Sequence, residues 1–192
     1  AGSAIGTDWY GDLIINRLTP ARLAEPAPSA SQLEQALLAA QAAPDHGRLK
    51  PWRFLIIEGE ARARFGALMA DALKQRDPTA TPELLEKEAQ KPQRAPLTII
   101  VVAEIQDSPK APEVEQLLAV GAATQNLILA LHAQGFGAQW KSGAASFDAT
   151  VKAGLGLKAS DHIVGIVYVG TPAEPGKPRP APAGKVSRWT GV

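Results

Sequence analysis

Apolar residues along the chain fall into two kinds of pattern, helical stripes and short unbroken runs, and the two alternate. Trp9, Leu13 and Ile14 share one side of a short helix that Asp8 can cap. Leu18-Thr19-Pro20 interrupts it, and residues 24–30, which carry two prolines, read as a loop. Ser31 with Glu34 three residues on is a capping-box pattern, which opens a helix striped by Leu33, Leu37 and Leu38 and stopped by Pro44. Phe54-Leu55-Ile56-Ile57 ahead of Glu58-Gly59 predicts a strand. A helix follows to about Lys74 with Phe65, Leu68 and Met69 inward, and Thr81-Pro82-Glu83 starts a polar one. Leu97 to Ala103 is the clearest buried strand. Glu113 to Gln134 is a long helix, apolar on several faces and therefore central to the core, ended by Gly135-Phe136-Gly137. A short strand leads into Gln139-Trp140, Asp148 to Leu155 forms a small helix, and Ile163 to Val169 is another strand.

Strands alternating with helices make an α/β or α+β layer fold. The texture changes after Gly170. Residues 172–184 are rich in Pro, Gly and Ala and cannot pack a core, so they form a disordered end or an extended arm lying on something else. The 192 residues are the size of one domain, and 45% hydrophobic with 20% charged residues is enough to bury a core. A net charge of +1 offers no bulk attraction for nucleic acid. The absence of cysteine removes disulfides, thiolate metal sites, iron–sulfur clusters and cysteine nucleophiles, and fits a reducing compartment such as the cytoplasm. No run of about 18 apolar residues predicts a membrane span. Residues 1–7 lack a basic start and an apolar stretch, do not read as a signal peptide, and are set aside from the folded unit.

Four segments could carry chemistry. Asn16-Arg17-Leu18-Thr19-Pro20-Ala21-Arg22 places two guanidinium forks and a hydroxyl at a helix end, a donor set suited to phosphate, although solvated arginines at an exposed helix end would read the same. Pro44-Asp45-His46-Gly47-Arg48 joins a helix to a strand and is dense in polar groups; His46 could donate to a phosphate or a ring carbonyl, or serve only structure. In Gly135-Phe136-Gly137-Ala138-Gln139-Trp140-Lys141-Ser142-Gly143, Trp140 can cover an aromatic ring and Lys141 can face an anionic edge, against the plainer reading of a helix–turn–strand connection. Lys177 and Arg179 in the tail could pinch a phosphate or stay solvated. No Gly-x-Gly-x-x-Gly, phosphate-binding loop, zinc spacing or Gly-x-Ser-x-Gly elbow occurs, so no metal site is expected.

Taken together, these segments have the order and spacing of the nitroreductase family. Ile15-Asn16-Arg17, Arg22-Leu23-Ala24-Glu25-Pro26, Ala43-Pro44-Asp45-His46, Ile57-Glu58-Gly59-Glu60, Arg94-Ala95-Pro96-Leu97, Ala133-Gln134-Gly135-Phe136-Gly137 and Gly170-Thr171-Pro172 resemble its small bacterial NAD(P)H-dependent members over about residues 8–172. The resemblance implies an α+β, three-layer fold with a central mixed sheet flanked by helices, in an intertwined homodimer with one FMN in each of two interface clefts. It divides the chain into an FMN-binding domain at 8–172 and an extended arm at 173–192. Arg17, Leu18 and Thr19 match contacts to the FMN phosphate, ribityl chain and pyrimidine edge. Pro44, Asp45 and His46 match a stretch supplied by the partner chain, and Trp140, Lys141, Ser142 and Gly143 the segment beside the ring. Ala130, Leu131, His132, Ala133, Gln134 and Gly135 match the nicotinamide region, and Lys177 and Arg179 a basic pair that holds phosphate.

The chain departs from the pattern in places. Leu18 stands at a frequently basic position, Thr19 at a usual Ser, Ala42 where an arginine can occur, and Lys141 at an Arg; the tail pair is expected to compensate for Ala42. The activity implied is ping-pong hydride transfer from NAD(P)H, through FMN, to nitroaromatics, quinones or related electron-poor small molecules, with no protein acid or nucleophile required. A reductive dehalogenase with a lid at residues 75–95, a flavin-binding protein without turnover, and a purely structural dimer remain alternatives.

Overall fold

A computed structural model describes residues 8–191; the reading of residues 1–7 lies outside the described residues. The elements in order are a helical turn α1 (Asp8–Tyr10) running into a wide turn over Gly11–Ile15, β1 (Leu23–Ala24), α2 (Ala30–Gln41), β2 (Trp52–Glu58), α3 (Ala61–Arg76), α4 (Pro82–Gln90), β3 (Leu97–Ala103), α5 (Glu113–Ala133), β4 (Gly137–Lys141), α6 (Ala144–Phe147), α7 (Ala149–Gly154) and β5 (His162–Pro172).

Central to the sheet is β3, flanked by β2 on one side and β5 on the other, both antiparallel to it. The far edge of β5 carries β4 along Ile166–Gly170 and then β1 at Thr171–Pro172. Every pairing among the described residues is antiparallel, which corrects the expected mixed sheet within one chain. Alternation along the strands serves two separate cores. Leu97, Ile99, Val101, Ala103, Val167 and Val169 face α2 and α5, whereas Ile100, Val102, Ile166 and Tyr168 face the α3 side. This is the three-layer arrangement, and it explains why all seven residues of β3 are buried and read as one continuous apolar run.

The bulge in β5 has local consequences. Val101 pairs with Gly165 and Val102 with Ile163, so Val164 is the extra residue. The inserted residue reverses the parity of the strand: Ile163 packs on the α3 side with Ile166, and Val164 packs on the other. The Val164 carbonyl accepts the indole N–H of Trp140 at 3.1 Å. Gly165 leaves room for that indole, because a Cβ there would lie 2.6 Å from Trp140 Nε1. A second close approach joins α3 to α4, where a Cβ on Gly66 would lie 2.0 Å from the Ala89 carbonyl oxygen.

The cap of α2 differs from expectation. Ser29 is the N-cap, its hydroxyl accepts from Gln32 N, and Gln32 returns the bond to Ser29 N, so the box is Ser29/Gln32 rather than Ser31/Glu34. Thr81 caps α4 with Pro82 at the first helical position, as its sequence suggests. Ala24, the first residue of the expected loop, pairs with the sheet together with Leu23 as β1. With 21 residues, α5 is long and apolar enough by composition to cross a bilayer, although the sequence holds no unbroken apolar run of that length. Its Val120, Ala123, Leu127 and Leu131 are fully buried against the sheet and α2, so its apolar face forms the protein's core.

Candidate functional site

A cavity of about 640 Å³, of a size suited to a cofactor or substrate, opens where the Asn16–Arg22 segment, the end of α5, the start of β4 and the root of the C-terminal arm meet. Leu18, Pro20, Phe136 and Pro172 give it apolar walls, and Thr19, Arg22, His132, Lys177 and Arg179 add donors. The first and fourth sequence segments, far apart in the chain, are thus brought together.

Several contacts build this junction. Gln139 is buried in β4 and donates from Nε2 to the carbonyls of Pro20 at 2.8 Å and Ala21 at 3.1 Å, which pins the segment carrying Leu18 and Thr19 to the sheet. Ala173 N donates to the Arg22 carbonyl at 3.1 Å, and Arg22 pairs with Glu174 across the cavity mouth. Arg179 donates from Nη2 to the Ile15 carbonyl at 3.0 Å. His132 Nε2 lies 3.1 Å from the Asp12 carbonyl and ties the end of α5 to the turn that precedes that segment.

The electrostatics favour an anion. Burial first, and then the nearby positive charge of Arg179, lower the pKa of Arg17 from its ordinary value. Arginine nonetheless stays protonated in proteins, so like charges are held together here by the fold. An oxyanion between them would relieve the repulsion and accept several donors at once. The donor set, with Lys177 on the same wall, therefore fits a phosphate group.

Other expected site residues lie elsewhere within one chain. Asp45 lines a separate concavity with Gln41, Ala43, Arg48, Lys50 and Trp52. Its carboxylate accepts from Lys50 N at 2.7 Å and closes a loop in which Gly47, Arg48 and Lys50 all have positive φ. His46 Nδ1 meets Glu115 at the start of α5 at 2.5 Å, and Pro44 is exposed. Trp140 and Lys141 are neighbours on β4 and project to opposite faces. Trp140 pairs with Val167 on the α5 side, and Lys141 pairs with Ile166 on the α3 side. Lys141, Ser142 and Gly143 line a second, smaller cavity beneath α3 and α4. Of the residues from Ala130 to Gly135, His132 reaches the large cavity, Leu131 is fully buried in the core, and Gln134 donates to the Gln32 carbonyl at 3.2 Å. Among the described residues no group of three or more His, Asp or Glu side chains could hold a metal.

Gln139 as a positioning residue and Glu174 as the partner of Arg22 are not evident in the sequence. Neither carries a local motif; each acquires its role only when β4 and the arm reach the segment at residues 16–22.

Comparison with known proteins agrees with this geometry. The sequence profile described as the nitroreductase family matches residues 23–171. A provisionally named NAD(P)H nitroreductase, YdjA, of Escherichia coli K12 is 41% identical over 161 residues, covering 84% of this chain and 87% of its own. A nitroreductase-like family protein of Bacillus cereus superposes with a TM-score of 0.74 at 22% identity, over 98% of this chain and 94% of that one. A nitroreductase of Desulfovibrio desulfuricans, solved in complex with FMN, has a TM-score of 0.66 at 26% identity, over 88% and 90% of the two chains.

Proposed function

Because the chain belongs to the nitroreductase family, we propose that it is an FMN-dependent NAD(P)H oxidoreductase that reduces nitroaromatics, quinones or related electron-poor small molecules as a cytoplasmic homodimer. The observation that carries this reading is that Lys177 and Arg179 of the C-terminal arm line the same cavity as Thr19 and Arg22 from the other end of the chain, with Arg17 close enough to Arg179 to feel its charge. The FMN-bound Desulfovibrio structure and the name of the E. coli relative support the two cofactors.

In this reading Arg17, Lys177 and Arg179 hold the FMN phosphate, and Thr19 adds a hydroxyl donor. Leu18 offers an apolar contact where a cation is frequent in the family. The Trp140–Gly143 segment lies beside the ring through its main chain, since its side chains diverge to two faces of the sheet. FMN, when bound, supplies the hydride-accepting and hydride-donating chemistry. Residues Ala130–Gly135 border the nicotinamide position, with His132 nearest the cavity. The chain's own part is to bind and orient, and to exclude water with the walls formed by Leu18, Pro20 and Phe136.

A second copy completes the site. Asp45 lines a separate concavity of its own chain, and Pro44 and His46 beside it are exposed, in keeping with a role across an interface. The 8–172 domain also leaves a large apolar face: Val114 is 60% exposed, Leu118 on the next turn of α5 is 68% exposed, and Leu38 of α2 is 58% exposed. Residues 173–192 act as an arm that brings Lys177 and Arg179 to the cofactor. The test is the visible spectrum of the purified protein. A yellow flavin spectrum that NADH or NADPH bleaches, and that a nitroaromatic or quinone restores, is expected. A colourless protein that takes up no FMN would overturn the reading.

A further inference from the structure

The second cavity, about 330 Å³, sits beneath α3 and α4 on the sheet face opposite Trp140. Four cationic side chains line it, and two are already neutralised. Arg76 pairs with Asp148 at 2.5 Å, and Lys91 with Glu88 at 2.5 Å. Arg94 and Lys141 enter no ion pair among the described residues, so the cavity keeps a positive surplus.

Two features prepare this surplus for a ligand. The Arg94 guanidinium carbon lies 4.9 Å from the Tyr168 ring centroid, and its Nε donates to the Lys91 carbonyl at 3.2 Å. That leaves Nη1 and Nη2 without a hydrogen-bond acceptor among the described residues, held in one orientation by the ring and the main chain. Tyr168 is 2% exposed and lines the cavity, and its hydroxyl makes no hydrogen bond among the described residues. The hydroxyl is not sealed in the core, unlike the unpartnered Thr98, Gln134 and Ser146 side-chain oxygens, so it is open to a ligand in the cavity. The rest of the lining is apolar, with Met69, Leu73 and Ile166.

We propose that this cavity binds a small aromatic carboxylate, its ring against Met69, Leu73 and Ile166 and its carboxylate on Arg94, Lys141 and the Tyr168 hydroxyl. The planar guanidinium suits the two oxygens of a carboxylate, and the apolar floor favours an organic anion over an inorganic one. Burial first, with Glu88 adding to it and Arg94 opposing it, raises the Tyr168 pKa above its ordinary value, so the phenol remains a donor at neutral pH. The proposal goes beyond the oxidoreductase reading and does not depend on turnover.

The test is calorimetric binding of 2-naphthoate and of the neutral 2-naphthamide to the purified full-length protein. The carboxylate is expected to bind at least tenfold more tightly than the amide. Arg94→Gln, at an exposed position, is expected to reduce that preference several-fold, the Arg94→Gln/Lys141→Gln double variant to abolish it, and Tyr168→Phe to weaken naphthoate several-fold. Equal affinity for the two probes, or a preference that the Arg94→Gln/Lys141→Gln double variant leaves unchanged, overturns the proposal. Displacement of naphthoate by inorganic phosphate at equal concentration overturns the aromatic part. Since the readout is binding, a protein that holds no flavin would undo the oxidoreductase reading alone.

Discussion

Arg179, in the C-terminal arm, donates from Nη2 to the main-chain carbonyl of Ile15 at 3.0 Å, and through that bond its charge is held beside Arg17. The arm is otherwise exposed and lacks regular structure, so this contact and the Arg22–Glu174 pair fix its root over the large cavity. A segment that packs no core is therefore ordered by polar contacts at the place where two like charges meet.

If this junction holds the FMN phosphate, Arg179→Ala removes one charge-assisted contact worth about 1.5–3 kcal/mol, a roughly tenfold to hundredfold loss of affinity. The Lys177→Ala/Arg179→Ala double variant is expected to lose more. Flavin fluorescence on titration of the apoprotein measures both. Unchanged affinity in the double variant would exclude the arm from phosphate binding, and with it any compensation for Ala42.

Gln139→Ala tests how the segment at 16–22 is positioned. The side chain is buried, and its loss leaves the Pro20 and Ala21 carbonyls without their donor. A cost of about 1–3 kcal/mol in denaturant unfolding is expected, together with weaker flavin binding, because Thr19 is anchored through its neighbours. Wild-type affinity in a destabilised variant would separate the two roles and show that the segment keeps its place without the glutamine.

How far the sequence reveals this architecture depends on where each signal resides. β3 is legible to the residue because burial on both faces makes it one apolar run, and Thr81-Pro82 marks the start of α4 because capping is local. The α2 cap is two residues off because Ser29/Gln32 and Ser31/Glu34 both fit a capping box, and only the docked helix chooses between them. β1 is two residues long and exists through its pairing with the end of β5, so no local pattern announces it. For the site, the resemblance led to Thr19, Lys177 and Arg179, which the fold does bring to one cavity, and to Arg17, which it sets near Arg179. The divergence of Trp140 and Lys141 depends on β4 being a strand in this register, and the Arg94–Tyr168–Lys141 cluster draws on three distant parts of the chain.

Gly165 permits the Trp140 indole to reach the bulge. In Gly165→Ala the new methyl meets Nε1 at 2.6 Å, so the indole must move and give up its bond to Val164. A destabilisation of about 1–3 kcal/mol is expected, with a red-shifted tryptophan emission as the ring becomes more hydrated. An unaltered emission maximum would mean that the indole is not seated on Gly165.

Asp148 makes stability depend on acid pH. Burial alone would raise its pKa, but hydrogen bonds from Arg76 and from the N–H groups of Val151 and Thr150, together with the Arg76 charge, hold it below its ordinary value. The folded state therefore binds that proton less readily than the unfolded chain. The stabilisation is fully present above the ordinary carboxylate range, near pH 4, and is lost as the pH falls through the depressed folded value. Asp148→Asn removes this dependence and leaves Arg76 without its partner, 29% exposed at its side chain. It should cost about 3 kcal/mol at pH 7 and progressively less as the medium is acidified below pH 4. Urea unfolding of the two proteins from pH 7 down to pH 3 measures the difference; a gap that stays constant over that range would mean that the carboxylate charge contributes nothing and that only the shape of the cap matters.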